Sequence, residues 1–276
     1  MLVCGATIVA ASGCGRRSRV ALPTGAGTPL ADFTTAYRDA TADCLRLKSL
    51  SASIKLSGRA GSTKLSARID SGFAVPAAIR LEGYPRINFG GRPFFILASN
   101  GADSTLVMPR DARVLRGAAP AAIVEALTGV WLGPADLRAI VAGCGLQAGP
   151  PSSGRSFPKD WAAVDAGETS VFLRLVDGRW RVAGARRGPL TVTYSDFAAG
   201  RAGTVRVTVP AAGSGAAADL LLRLSQLEFD PALDPHAFEV AVPRDAVPLS
   251  LDELRRAGPL GADGGTDPAA PPEPAR

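Results

Sequence analysis

The sequence predicts an α+β fold that is mainly β: one long antiparallel sheet with helices packed on one of its faces. Three observations lead there. Apolar residues alternate singly with polar ones over many short stretches, the period of a half-buried strand. Gly and Pro are abundant (31 and 22) while aromatics make up only 6%, a balance that suits strands and turns better than a helical bundle. The alternating stretches are interrupted by a helical segment at the start, a helical pair in the middle and a short helix near the end. Such a sheet either closes into a barrel or curls and is plugged by its helices; periodicity does not choose between these.

Taken in order, Thr28 is placed to cap a first helix with Pro29 in its first turn, and Leu30, Phe33, Tyr37, Ala40, Cys44 and Leu47 recur at helical spacing. From Leu50 the period changes to 2. Ala52, Ile54 and Leu56 alternate with Ser51, Ser53, Lys55 and Ser57; Leu65, Ala67 and Ile69 alternate with Lys64, Ser66, Arg68 and Asp70. Ile79 and Leu81, then Phe94 to Leu97 and Thr105 to Met108, continue the meander, with Asn100-Gly101 as a turn. Ala118–Leu127 and Gly133–Val141 read as two helices, stopped by Gly143 and Gly145. Residues 147–168, rich in Pro, Ser and Gly, read as a loop or loosely ordered insertion. Strands resume at Val171–Val176 and Arg179–Gly184, joined by Asp177-Gly178, and continue through Leu190–Tyr194, Thr204–Val209, Leu220–Phe229 and Phe238–Val242. Leu251–Arg256 closes the order as a short helix. The five prolines of residues 259–276 mark a disordered tail.

The formal net charge of +6 gives little support to a nucleic-acid partner. Of 31 basic residues only Lys48, Lys55, Lys64 and Lys159 are lysine, and the arginines are dispersed along strands without a recognition-helix or zinc-finger pattern. No apolar run reaches the length of a spanning helix.

The N-terminus speaks for an envelope compartment. Residues 2–13 are uncharged and largely apolar, the length of a signal-peptide core, and run into Ala11-Ser12-Gly13-Cys14, followed by Gly15-Arg16-Arg17. Small residues directly before a cysteine admit an extended backbone beside a thiol carrying diacylglycerol, so this stretch resembles a bacterial lipobox. It implies a signal peptide over 1–13, lipid attachment at Cys14, a flexible tether over 14–29 and a folded domain over 30–258. Gly15, where an aspartate would signal inner-membrane retention, favours a periplasm-facing anchor in the outer membrane. Two cysteines remain for the folded part. Cys44 and Cys144 either form one disulfide in an oxidising space or sit as small buried residues on separate helices.

Catalytic and cofactor patterns are missing from the sequence. The one histidine, His236, stands in Asp234-Pro235-His236-Ala237 without spaced partners and reads as a solvated turn residue. There is no G-x-S-x-G elbow, zinc motif or phosphate loop. The expectation is a protein that is not an enzyme and needs no cofactor or metal.

At this point the chain resembles the LolA/LolB superfamily of lipoprotein carriers and receptors, over roughly residues 30–245. The resemblance lies in Leu45–Leu50 leading into Ser53–Gly58, in Pro76–Glu82, in Thr128-Gly129-Val130-Trp131-Leu132-Gly133-Pro134-Ala135-Asp136-Leu137, in Gly178–Val182, and in Phe238–Pro243. It implies an incomplete antiparallel barrel with helices plugging its concave face. Acyl chains would lie in an apolar cavity lined by Ile54, Leu56, Leu65, Ile69, Ile79, Leu81 and Trp180. In the receptor branch an exposed apolar residue on an early loop delivers cargo into the membrane; Tyr84, Ile87 and Phe89 are the candidates here, the alternative being that Ile87 and Phe89 continue a strand into the core. The expected partners are the membrane, an acylated lipoprotein or lipid cargo and a periplasmic carrier protein. The rival expectation is a structural or regulatory envelope lipoprotein with the same fold and no lipid cargo.

Overall fold

The computed structural model of the chain describes residues 20–85, 91–101, 103–211 and 217–258. Its elements run in the order β1 (Thr28–Pro29), α1 (Phe33–Arg46), β2 (Ser49–Ala60), β3 (Thr63–Ala74), β4 (Ala78–Tyr84), β5 (Phe95–Ser99), β6 (Ser104–Met108), β7 (Arg113–Arg116), α2 (Pro120–Thr128), α3 (Pro134–Ala142), β8 (Pro151–Phe157), β9 (Trp161–Ala166), β10 (Thr169–Val176), β11 (Arg179–Arg187), β12 (Leu190–Ala198), β13 (Arg201–Val209), β14 (Ala218–Phe229), a 3-10 turn (Pro235–Phe238), β15 (Val247–Pro248) and α4 (Leu251–Ala257).

All strands join one sheet in the order β1-β8-β9-β10-β11-β12-β13-β14-β2-β3-β4-β5-β6-β7-β15. Two antiparallel meanders meet at the seam where β14 pairs with β2. The sheet curls without closing, because β1 and β15 end it on opposite edges. This is the open barrel that the resemblance implies. Both edge strands are two residues long and contain a proline, Pro29 or Pro248, so few ladder donors are left for another chain.

The alternation read along β2 and β3 is what orients them. Leu50, Ala52, Ile54 and Leu56 are buried with Leu65, Ala67, Ile69 and Phe73, while Lys55 and Lys64 face water. One contiguous core runs through α1, α2, α3 and both meanders. Each helix of the central pair starts on a proline and ends on a glycine in the left-handed region, Gly129 (φ 75°) and Gly143 (φ 87°), so each stops after 9 residues.

Four sequence expectations need correction. Residues 147–168 are not a loop: β8 and β9 form a hairpin there. Its serines act as ladder-compatible donors instead of breakers, with the Ser152 hydroxyl donating to the Asp165 carbonyl and the Ser153 hydroxyl to the Asp165 carboxylate, both at 3.0 Å. Gly154 is required because a Cβ there would overlap Phe33 of α1. Thr28 and Pro29 do not start the first helix. They pair with β8, where Leu30 N–H donates to the Gly154 carbonyl, and α1 begins at Phe33. Phe238–Val242 is not a strand. Asp234 accepts the His236 N–H and winds a 3-10 turn, and Arg80 takes the Ala237 and Glu239 carbonyls that a ladder would have used. Finally, β7 and β15 lie in stretches read as connections.

Candidate functional site

Two spaces lie inside the curled sheet. The first is an apolar cavity between the sheet and the pair α2–α3. Its floor is Ile54 and Leu56 of β2, Ile69 and Phe73 of β3, Leu81 of β4, Phe95 of β5, Val207 of β13, and Leu220 and Leu222 of β14. Its roof is Val124, Leu127, Leu132, Leu137, Ile140 and Val141, with Thr128 at the margin. The Thr128 hydroxyl donates to the Val124 carbonyl at 2.7 Å, so even this hydroxyl does not address the cavity. The wall is carbon, and the free space is about 60 Å³. That equals roughly two water molecules, since a water's share of liquid volume is about 30 Å³. The space as it stands is far smaller than a long acyl chain.

The roof is held differently along its two helices. At the C-terminal end of α3, the fully buried Tyr194 hydroxyl donates to the Ile140 carbonyl (3.0 Å) and accepts from Gly145 N–H (2.8 Å). Burial pushes its pKa up, so it stays a donor. In the first turn of α3, Asp136 receives Arg187 at 2.6 Å and Gln147 N–H at 3.0 Å. Cys44 and Cys144 are joined as a disulfide, with Cα atoms 6.1 Å apart, tying α1 to the turn after α3. On α2, five buried apolar residues face inward, Glu125 pairs with Arg255 of α4 at the surface (2.9 Å), and the linking loop presents Trp131, 58% exposed. The roof is therefore tied along α3 by polar contacts and the disulfide, and along α2 by apolar burial and one exposed ion pair.

The second space is a cleft of about 900 Å³ at one end of the sheet. It exists because β11 and β12 part company: only Gly184–Arg187 pair with Leu190–Thr193, leaving Arg179–Ala183 and Tyr194–Ala198 unladdered against each other. The C-terminal half of α1, the tip of the β10–β11 hairpin, the tip of the β12–β13 hairpin and the end of β14 line the gap. Ala142 and Gly143 line the cleft while Ile140 and Val141 line the cavity, so the end of α3 is the wall between the two spaces.

The structure distributes the sequence-derived candidates as follows. Ile54, Leu56, Ile69 and Leu81 line the apolar cavity. Leu65 and Ile79 are fully buried and packed outside it. Trp180 lines the cleft instead. Tyr84 is held against the sheet, its hydroxyl donating to Glu82 at 2.5 Å and its ring lying under the Arg68 guanidinium at 4.4 Å, so it does not project as a tip. Burial and the Glu82 carboxylate push its pKa up to about 12. Cys14, Ile87 and Phe89 lie outside the described residues. His236 is an exposed side chain on the 3-10 turn, 3.6 Å from Glu239. Val124, Leu127, Ile140 and Val141, which the sequence marks as the apolar residues of two short helices, line the cavity from above although sequence reasoning does not place them there.

The fold is an incomplete antiparallel barrel in which two helices cover an apolar cavity. No protein-family model matches the chain, and no curated protein is similar to it in sequence. Among solved structures it is similar to a LolA superfamily protein from Nitrosomonas europaea (13% identity, 75% of this chain and 96% of that one, TM-score 0.49). It is also similar to a DUF1329 family protein from Desulfovibrio piger (12% identity, 74% and 96%, TM-score 0.46). A third is a domain from Vibrio parahaemolyticus assigned to outer-membrane lipoprotein sorting (15% identity, 74% and 96%, TM-score 0.45).

Proposed function

We propose that the chain is a non-enzymatic envelope lipoprotein, anchored through Cys14 in the outer membrane and facing the periplasm. It would take acyl chains between sheet and roof and help place lipoproteins or lipids in that membrane. The observation that carries this reading is the carbon-walled cavity between the sheet and the helix pair α2–α3. Burying each methylene there is favourable by roughly 0.8 kcal/mol, the same gain that a bilayer offers, so cargo can pass either way with little net driving force. The chemistry asks for no catalytic group and no cofactor. A periplasmic carrier protein is the partner from which such a receptor would receive its cargo.

The closed state, with about 60 Å³ free, favours a second reading: a structural or regulatory lipoprotein whose core is filled by its own side chains. Native mass spectrometry of the full chain purified from a bacterial envelope separates the two. A bound mass matching a lipid or an acylated peptide is expected. A clean apo mass, with no uptake of an added acylated peptide or diacyl lipid, refutes the carrier reading and leaves the scaffold.

A further inference from the structure

The cleft between β11 and β12 is built differently from the cavity. Four guanidinium groups line it: Arg46 on α1, Arg179 and Arg181 on β11, and Arg201 on β13. Among the described residues none of the four has a carboxylate partner; Arg201 lies over the Phe229 ring at 4.2 Å. Three aspartates share the lining, but two are engaged. Asp39 pairs with Arg38 at 3.6 Å, and the Asp230 carboxylate accepts the N–H groups of Lys48 and Ser49 at 2.7 and 3.1 Å. Asp43 alone has no partner of its own among the described residues, and the lining carries four guanidinium groups against three carboxylates. Other arginines such as Arg59, Arg174 and Arg223 also have no carboxylate partner among the described residues, but these four line one cleft together.

Exposed apolar side chains stand in the cleft lining or next to it in chain or strand. Leu45, beside Arg46, is 67% exposed; Phe197, in the lining, is 45% exposed; Val176, the cross-strand partner of Arg179, is 36% exposed. These are half of the exposed large hydrophobic residues among those described. Large apolar side chains beside arginines suit the boundary between headgroups and acyl chains.

The geometry points to the cleft as a site for the phosphate-bearing headgroup of an anionic lipid, an assignment that rests on the carrier reading above. Guanidinium groups bind phosphate oxygens in charge-assisted, often bidentate pairs. A volume of about 900 Å³ lies within the range of small-molecule sites. The apolar cavity begins one turn of α3 away, at Ile140 and Val141, so chains can follow the headgroup inward when the roof lifts.

The test is calorimetric titration of the full chain carrying Cys14→Ser with dihexanoyl phosphatidylglycerol, dihexanoylglycerol and glycerol phosphate. The double variant Arg179→Gln/Arg181→Gln should weaken phosphatidylglycerol binding by roughly tenfold or more, with binding of the uncharged lipid unchanged. Arg46→Gln, on a different element, should weaken it in the same selective way. Arg223→Gln, exposed on the outer face of β14, removes one positive charge and should change neither. Phosphatidylglycerol affinity untouched in both cleft variants overturns the headgroup assignment, and uptake of dihexanoylglycerol then leaves the carrier reading standing. Glycerol phosphate binding as tightly as the lipid overturns it too, by revealing a site for free phosphate esters. If wild-type protein takes neither lipid, the carrier reading falls, and this assignment falls with it.

Discussion

Replacing Cys44 and Cys144 together by alanine removes a cross-link between residues 100 positions apart. In the chain-entropy account, a closed loop of that length restricts the unfolded state by about 16 cal/mol/K, or roughly 4.7 kcal/mol at 25 °C. Native packing changes little, since alanine keeps the Cβ of Cys144 in its buried position and Cys44 is only partly buried. Part of the entropic gain is commonly lost to residual structure in the unfolded chain, so a loss of about 3–5 kcal/mol is expected. For a folded unit of this size each kcal/mol moves the melting temperature by about 2–4 °C, so the midpoint should fall on the order of 10 °C. The assay is urea and thermal denaturation in a background with Cys4→Ser and Cys14→Ser, so that no other thiol competes. Wild-type protein under strong reductant should show the same fall. A double variant within about 1 kcal/mol of its parent would refute the reasoning, and would mean that packing of α1 on β8, β10 and β11 already restrains the loop.

Three further outcomes can be checked on the same protein. Tyr194→Phe leaves the Gly145 N–H and the Ile140 carbonyl without their side-chain partner at the C-terminal end of α3; a loss of about 2–3 kcal/mol in urea is expected, with faster amide exchange in α3, and a loss under roughly 0.5 kcal/mol would contradict the anchoring role. Val124→Phe fills the cavity from the roof side, so acyl uptake should fall while stability changes by about 1 kcal/mol or less; undiminished uptake would move the chains elsewhere. Acid should release α4. The Glu253 carboxyl is held down to about 2 from 4.5, first by the Ser250 N–H and then by Arg113 and the Ser250 hydroxyl. Because the folded value lies below the unfolded one, its contribution is fully present above about 4.5 and is lost as pH falls through about 2. Amide exchange in Leu251–Ala257 should rise across that window, and Glu253→Gln should flatten the rise.

Where one side chain in two is apolar and its neighbours are polar, as along β2 and β3, the sequence named the face and the register together, and Ile54, Leu56, Ile69 and Leu81 follow from it. The helical stripe of α1 was equally readable. The β8–β9 hairpin was not, because its serines and glycine are breakers in isolation and become strand residues only when Asp165 and Phe33 are beside them. Trp180 shows the same limit in the site. It shares a face with Val182, which argues for the barrel interior, yet it lines the cleft because β11 and β12 separate just before it. Only the pairing of β13 with β14 puts Asp219 beside Arg206, so charge along the sequence could not distinguish Arg181 from Arg206.

The seam between β14 and β2 bears on the order in which the molecule can be made. It joins Leu50 to Phe229 and Ala60 to Ala218, residues about 160–180 positions apart, and it lies near the middle of the sheet. A chain synthesised from its N-terminus holds β2 as an open edge until about four-fifths of its length has emerged. The first meander cannot complete the core, and the floor of the cavity lacks Val207, Leu220 and Leu222 until then. The nascent protein therefore lacks a complete core for most of its synthesis, and locks only when its second half is present beside its first.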